Sequence, residues 1–309
     1  MCYSAQLSFN FGDYVRETGA EMDLEQFEEI FGQRAQSPSL RIPRAVERWF
    51  DDPKGDAQKR IKALIDDYRA SNITRFEREV FAQRKRLADA ERVLAVKPTK
   101  AASESQRIAT DKVETALRRL EILKSTKAHA MDGRIFPMHY APIVIQEGAR
   151  RVIRLARYLL RPEGKLPSFD RQFPGCYNAR RDNLTKFWKG QFGHHHALML
   201  VSSFYENVDR DGRNAVLHFV PRPADTMRIA CLYSEWVDPK NGSKLLSFAA
   251  ITDEPPAEVA AAGHDRMIVN LKSTNIAAWL TPEGRSVDEL QAILSDRQAP
   301  YYEHEVLAA

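Results

Sequence analysis

The feature that most constrains the fold is an abrupt change in hydrophobic pattern near Met131. From Asp23 to about Thr126 the chain is rich in charge, and its apolar residues recur mostly at intervals of three, four or seven, which predicts helices. Pro98 and Thr99 interrupt this stretch at a point where helices should stop. The simplest interpretation of the two halves is an antiparallel helical hairpin.

Beyond that boundary, short apolar runs rich in Val, Ile, Phe and Tyr alternate with turn residues, a pattern typical of β-strands. The runs are APIVI, RVIRLARYLL, HALMLVSSFYENV, AVLHFV, TMRIACLYSEWV, LLSFAAIT and RMIVNL. We expect a short strand and a turn in residues 1–20, and short helices at Glu258–Ala262 and Asn275–Leu280. The sequence therefore predicts an α+β protein. A compact mostly-β domain, residues 1–20 and 131–309, carries a helical insertion, residues 21–130.

Composition excludes several classes of protein. A hydrophobic share of 43% can bury a sizeable core, so the chain as a whole is not disordered. No apolar run reaches the roughly 18 residues that span a bilayer, which predicts no membrane association. The first residues lack a basic region followed by an apolar one, so we expect no secretory signal. Three cysteines fit a reducing cytosol, and we expect a cytoplasmic location.

The distribution of charge is more informative than its sum. The net charge of +4 is too small to establish nucleic-acid binding. Lys59–Lys124, however, contains 17 basic and 10 acidic residues. This excess fits a solvated helix surface, or an arm that faces nucleic acid or a protein partner.

Cys2 is the first candidate for chemistry. Initiator Met is normally removed before a small residue, which would leave this cysteine with a free α-amine beside its thiol. The amine titrates at about 7.7–8.0 and the thiol near 8.5, so both offer nucleophiles near neutral pH. An aldehyde could form an imine with the amine, and thiol addition would then close a thiazolidine ring intramolecularly. By itself, Cys2 also fits an ordinary N-terminal residue.

Three further polar residues stand at the ends of predicted elements. Glu206 follows an apolar strand beside an aromatic residue, where a carboxyl group can act as a general acid or base. His264 lies between a short helix and a strand, a position suited to proton transfer. Asn178 offers a donor and an acceptor without charge, and Arg180 and Arg181 next to it could hold phosphate. Taken singly, each also fits a structural role.

Other motifs give little support for alternative chemistries. The tract His194–His196 resembles a metal site, but adjacent strand residues point to opposite faces, and no CxxC or HExxH partner exists. Cys176 and Cys231 are best explained as core thiols. The chain has no Walker A, GxSxG or GxGxxG motif. We therefore predict no metal and no cofactor.

Together, and in this order, the pieces resemble the SOS-response-associated peptidase (SRAP) family of abasic-site-processing proteins. The resembling segments are Met1-Cys2, His139-Tyr140-Ala141-Pro142, Arg157–Pro162, Asn178-Ala179-Arg180, Ser203–Asn207 and His264-Asp265-Arg266-Met267. They cover residues 1 to about 15 and about 131 to 285. The departures from the family pattern are Tyr3-Ser4 for Gly-Arg, Tyr158-Leu159 for Trp-Gly, Asn207 for Trp, and Ile268 for Pro.

The resemblance implies a covalent reaction with abasic sites in single-stranded DNA, which protects those sites during the response to DNA damage. Cys2 would form a Schiff base and then a thiazolidine with the open sugar. Glu206 would assist ring opening and proton transfer, His264 would move protons at the imine stage, and Asn178 would orient the reactants. The family also implies autocatalytic removal of Met1 and abasic-site lyase activity.

The same resemblance implies DNA contacts through Arg157, Arg161, Arg180 and Arg266, with sequence-independent, salt-sensitive binding. Two other functions remain open from the residues alone. One is an N-terminal-nucleophile thiol peptidase or amidohydrolase, in which Cys2 attacks amides. The other is a non-catalytic DNA-binding or partner-binding module that depends on the basic helical hairpin.

Overall fold

The computed structural model describes residues 4–7, 11–37, 39–210 and 212–307. The helices are α1 Phe11–Thr18, α2 Leu24–Gln36, α3 Arg44–Glu47, α4 Asp56–Val96, α5 Lys100–Lys124, α6 Phe169–Gln172, α7 Ala257–Ala261, α8 Ile276–Leu280 and α9 Val287–Ser295. The strands are β1 Ser4–Leu7, β2 Glu21–Met22, β3 Arg134–Ile135, β4 Tyr140–Glu147, β5 Arg150–Tyr158, β6 Asn178–Arg180, β7 His196–Arg210, β8 Arg213–Arg222, β9 Met227–Val237, β10 Lys244–Asp253, β11 Met267–Ile268 and β12 Tyr301–Leu307. The predicted α+β class is confirmed. In the described part of the chain, no helix is both long and apolar enough to cross a bilayer.

Five strands close into a barrel in the order β4–β5–β10–β9–β7 and back to β4. The β5–β10 pair is parallel, and the other four pairs are antiparallel. In β7, every residue from Ala197 to Val201 is fully buried. Both faces of this segment are covered, so its sequence is continuously apolar instead of alternating.

Strand β7 is longer than the barrel and carries the sheet beyond it. Its second half pairs with β1 on one side and with β8 on the other, and β12 extends the sheet from β8. At the far end of β10, β6 lies along one edge and β11 along the other. These extensions hold Asn178, Arg180 and Glu206, three of the residues that the sequence singled out for function.

By their contacts, residues 1–58 and 130–309 form one compact unit, and residues 59–129 form a second. The predicted insertion, 21–130, begins earlier than this second unit. Residues 11–18, expected within a turn, form helix α1 instead. That the helical segment acts as a separate domain stays a prediction.

Helix α2 shows why the segment before residue 59 belongs with the barrel. Asp23 caps its N-terminus by accepting a hydrogen bond from Gln26 N–H, and the Gln26 amide exchanges two hydrogen bonds with the Leu155 backbone of β5. Phe27 is fully buried, with its ring 6.0 Å from that of Phe50. Helical periodicity predicts that one face of such a helix is buried, but it does not predict which core covers that face.

The second unit contains most of α4 and all of α5, which run antiparallel as predicted. The Thr99 side chain caps α5 by accepting a hydrogen bond from Ala102 N–H. Between the helices, Lys124 pairs with Glu77 at 2.6 Å. The buried side chains of α5 are mainly alanines at intervals of seven, which let two helices approach closely. They are Ala102, Ala109 and Ala116.

Candidate active site

Glu206 lies on the part of β7 that extends beyond the barrel, and its side chain is fully buried. It stands opposite Leu217 of β8. The preceding residue, Tyr205, pairs with Ser4 of β1. Ser4, the first described residue of the chain, therefore stands opposite the residue that precedes Glu206. Cys2 itself lies outside the described residues.

The turn after α7 places His264. Gly263 has φ +97°, a left-handed conformation that glycine adopts without steric cost. Its N–H donates to Ala260 O at 2.9 Å, and His264 N–H donates to Val259 O at 3.3 Å. The chain thus reverses immediately after the helix, and the His264 side chain is only 6% exposed. A carbon added to Gly263 would lie 3.9 Å from Val208, two residues beyond Glu206 on β7.

The structure brings His264 and Glu206 together, with His264 Nε2 2.9 Å from Glu206 Oε2. On its other side, His264 Nδ1 lies 2.7 Å from the backbone oxygen of Arg266. Nδ1 also accepts a hydrogen bond from the Arg266 N–H at 3.3 Å, so the Arg266 backbone holds the ring while Nε2 faces the Glu206 carboxylate. Among the described residues, neither Glu206 oxygen receives an aligned hydrogen bond. The carboxylate thus keeps acceptor capacity for a further group, although it is buried.

Asn178 and Arg180 lie on β6 and Arg266 immediately precedes β11, both at the end of β10. Thr252 of β10 pairs with Arg180 of β6 on one side and with Ile268 of β11 on the other. Asn178 is 5% exposed, whereas the Arg180 side chain is 46% exposed. The two residues are two positions apart and share a face of β6, but Arg180 is the last residue of the strand, and its long side chain reaches the surface.

Asp182 links the two arginines, and sequence analysis did not single it out. Its carboxylate accepts two hydrogen bonds from Arg180, at 2.6 and 3.1 Å, and lies 3.8 Å from Arg266 Nη2. The hydrogen bond from Arg180 lowers the pKa of Asp182. The only signal in the sequence was the proximity of opposite charges in Arg180-Arg181-Asp182.

Arg157 and Arg161, which the sequence predicted as DNA contacts, are both paired with Asp170. Both guanidinium groups are buried against it, Arg157 through Nη1 at 2.7 Å and Arg161 through Nε at 3.0 Å. The Arg161 guanidinium also lies 4.4 Å from the centre of the Trp236 ring. An anion of the protein itself thus holds both groups, and their contact with DNA stays a prediction.

Another positively charged side chain, that of Arg134, lies beside β1. Arg134 Nε donates to Ser4 Oγ at 3.0 Å, and its guanidinium lies 3.8 Å from the centre of the Tyr205 ring. Arg134 follows a glycine in a short strand, and nothing in its local sequence marked it as part of the site.

His196 of the histidine tract and the buried thiol of Cys176 have the surroundings of residues with a structural role. His196 stacks on Trp279 with ring centres 3.8 Å apart, and burial lowers the pKa of its imidazole to about 3. Both His196 nitrogens contact backbone groups, of Gly193 and Trp279. Burial raises the pKa of the Cys176 thiol to about 12. Within the described ranges, no group of three or more His, Cys, Asp or Glu residues could hold a metal ion.

The structure is that of an α+β protein with a five-stranded barrel and a buried His–Glu pair beside it. Comparison with known sequences identifies its family. The chain belongs to the SOS response associated peptidase (SRAP) family, whose model matches residues 99–308. The match includes Asn178, Glu206 and His264, and it begins after Cys2. No curated protein matches the chain significantly.

The fold is similar to that of a solved structure. A protein from Bacteroides thetaiotaomicron is 15% identical, with a TM-score of 0.50 over 63% of this chain and 88% of the other. Two proteins from Bordetella bronchiseptica, one described as phage-related, are 17% and 16% identical, with TM-scores of 0.47 and 0.45. They cover 60% and 62% of this chain, and 90% and 89% of their own.

Proposed function

We propose that this protein forms a covalent adduct with abasic sites in single-stranded DNA through Cys2. One observation carries the proposal. Ser4 pairs with Tyr205, immediately before Glu206, whose buried carboxylate contacts His264. Two residues of chain extend at most about 7 Å, and we propose that Cys2, two positions before Ser4, reaches this pair. Membership in the SRAP family supports the same function.

The chemistry follows from an N-terminal cysteine that is exposed when Met1 is removed. Its α-amine attacks the aldehyde of the open sugar, and loss of water gives an imine. The thiol then adds to the imine carbon and closes a thiazolidine. Each step moves a proton to or from oxygen or nitrogen, and a buried His–Glu pair can supply and accept these protons. We assign this role to His264 and Glu206.

The surrounding polar residues fit the binding of a nucleic-acid backbone. Arg180 and Arg266 are linked through Asp182, and Arg134 lies beside the strand that leads to the N-terminus. We propose that these three arginines contact phosphates, which gives binding without sequence preference and with strong dependence on salt. Asn178, buried on β6, would orient the sugar or the N-terminal residue.

The decisive experiment is the intact mass of the purified protein, alone and after incubation with an oligonucleotide that contains one abasic site. We expect a chain that lacks Met1 and a heat-stable adduct equal to protein plus DNA minus one water. Cys2→Ala should lose the stable adduct and keep non-covalent binding, although borohydride could trap its imine. Cys176→Ala, which removes a buried thiol, is the matched control and should still form the adduct.

Two controls separate this function from its alternatives. A tetrahydrofuran analogue of the abasic site has no aldehyde and should give no adduct. A heat-stable adduct from Cys2→Ala without reductant would overturn the mechanism. If wild-type protein instead cleaves amide substrates and ignores abasic DNA, it is a thiol peptidase. If Cys2→Ala changes no activity, the protein is a binding module.

A further inference from the structure

A second cluster of reactive side chains lies on the sheet formed by β7, β8 and β12. In the register of these strands, His218 of β8 stands directly opposite Tyr205 of β7 on one side and Glu305 of β12 on the other. Ser203 lies two residues before Tyr205 on the same strand. Because side chains alternate along a strand, Ser203 and Tyr205 project from one face of β7 and Glu206 from the other.

Short contacts connect the Ser203, His218 and Glu305 side chains in series. Ser203 Oγ lies 2.8 Å from His218 Nε2, and His218 Nδ1 lies 3.1 Å from Glu305 Oε1. An ionised carboxylate can only accept hydrogen bonds, so it holds the proton of a neutral imidazole on Nδ1. Nε2 then presents its lone pair to the Ser203 hydroxyl. A nucleophile, a base and a group that orients the base are thus in hydrogen-bond contact.

The imidazole of His218 is fixed in place by its neighbour. Its ring stacks on Tyr205 with centres 4.4 Å apart and planes 11° from parallel. The Tyr205 hydroxyl donates to Gln6 Oε1 at 3.2 Å and also interacts with Ser203. Burial raises the pKa of Tyr205, so its hydroxyl stays protonated at neutral pH. It is therefore a hydrogen-bond donor next to the Ser203 oxygen.

The cluster opens onto a groove of about 560 Å³. Ser203, Tyr205 and His218 line it together with smaller apolar side chains, among them Ala130, Val220 and Ala224. Ser203 is only 3% exposed, so a reagent reaches its hydroxyl from this groove. A pocket of this size and lining accommodates a small neutral ester with a short aliphatic acyl group.

We propose that Ser203, His218 and Glu305 form a second catalytic site, which hydrolyses small carboxylic esters by acyl transfer to Ser203. Neither the SRAP family nor the adduct chemistry of Cys2 assigns a function to these residues. Ser203 is the nucleophile and His218 the general base. Glu305 is a positioning residue that acts through His218.

The reaction balances as ester plus water to carboxylic acid plus alcohol. Ser203 Oγ bonds to the carbonyl carbon while its proton passes to His218 Nε2. The Tyr205 hydroxyl turns its single proton from Gln6 Oε1 to the developing oxyanion. The intermediate collapses, the C–O bond to the alcohol breaks, and the alcohol takes the proton from His218. Water then attacks the acyl-serine, gives a proton to His218, and releases the acid as that proton returns to Ser203.

The test uses the full-length protein, a fluorophosphonate probe and intact-mass measurement followed by peptide mapping. The probe bonds to an activated serine oxygen as fluoride leaves. We expect one label, mapped to Ser203, and a roughly 10²–10⁴-fold loss of labelling rate in His218→Ala. Hydrolysis of 4-nitrophenyl butyrate by Cys2→Ala should persist and should be abolished by adding Ser203→Ala. The Cys2→Ala background removes the thiol that could also react with this ester.

Matched variants distinguish catalysis from a structural network. Ser202→Ala removes the adjacent hydroxyl, which faces Gln6 O, and should label at the wild-type rate. Glu303→Gln removes a carboxylate from the same strand that pairs with Arg222, and it should behave as wild type, whereas Glu305→Gln should label about tenfold more slowly. Absence of label from folded wild-type protein, or equal labelling of Ser203→Ala, would overturn the proposal.

Discussion

His264 Nε2 lies 2.9 Å from Glu206 Oε2, and both side chains are almost completely shielded from water. The two residues are 58 positions apart in the sequence, so only the fold makes them partners. A buried ion pair is weak evidence for stability, because desolvation of the charges opposes their attraction. Its position beside β1 is the reason why we propose a role in proton transfer for this pair.

Glu206→Gln should slow adduct formation by about 10²–10⁴-fold, because an amide of the same shape cannot take a proton from His264. The rate is measured with an abasic oligonucleotide on a denaturing gel, and circular dichroism checks the fold. Glu235→Gln, which changes an exposed strand glutamate, should keep the wild-type rate. A wild-type rate in folded Glu206→Gln would remove this carboxylate from the mechanism.

His264→Ala should slow adduct formation or its reversal to a similar extent, while leaving non-covalent binding unchanged. The reason is that it removes the group that exchanges protons with Glu206, without touching the arginines assigned to phosphates. Both directions of the reaction are followed on the same oligonucleotide, with adduct reversal measured after excess competitor is added. Unchanged rates in both directions would contradict the role given to His264.

Gly263→Ala should reduce the free energy of unfolding by about 1–2 kcal/mol, because an alanine at φ +97° clashes with its own backbone. The same strain should shift His264 and slow adduct formation. Denaturant unfolding and the gel assay measure the two effects. Gly190→Ala, at a glycine without positive φ and with open space around it, is the control and should change neither.

Asp170→Asn should destabilise the protein by about 3 kcal/mol at neutral pH, since it leaves Arg157 and Arg161 buried without their anion. Burial raises the pKa of Asp170, but hydrogen bonds from Arg161 and Arg157 lower it further, and the net shift is downward. The stabilisation by this carboxylate is therefore present above its unfolded pKa and is lost as pH falls through the lower folded pKa.

Unfolding measured from pH 7 down to acid should accordingly show a smaller loss of stability for Asp170→Asn than for wild type. Asp67→Asn, at an exposed position of α4, should follow the wild-type curve. Parallel curves for Asp170→Asn and wild type would show that the Asp170 carboxylate contributes little to acid sensitivity.

Replacement of residues 59–129 by a short Gly/Ser linker should leave a folded protein that still forms the adduct, because the site residues lie in the other compact unit. The deletion should weaken binding to long single strands more than to short ones. It should also reduce the dependence of binding on salt, because fewer counterions are released. Fluorescence anisotropy at several salt concentrations measures both effects.

A double variant, Arg84→Gln with Lys85→Gln, keeps the hairpin and removes two charges of α4. This double variant should also reduce the dependence of binding on salt, but by less than the deletion does. Aggregation of the deletion protein, or failure to react with a short abasic oligonucleotide, would show that the hairpin contributes to the core or to the site.

The sequence by itself determined the secondary structure of the two halves and the order of the site motifs. Helical periodicity with a proline break defines α4 and α5, and short Val- and Ile-rich runs define the barrel strands, because these patterns depend on local backbone geometry. His264 could be placed just after a short helix for the same reason. Glu206, expected at the end of a strand, lies within β7 instead, because that strand continues to Arg210.

Only the tertiary structure decided which side chains meet. The structure pairs the Arg157 and Arg161 side chains with Asp170, and it assigns α2 to the barrel unit and not to the hairpin. The contact of His218 with Glu305 joins residues 87 positions apart. Such partners are fixed by strand register and burial, which depend on long-range packing and leave no trace in local sequence.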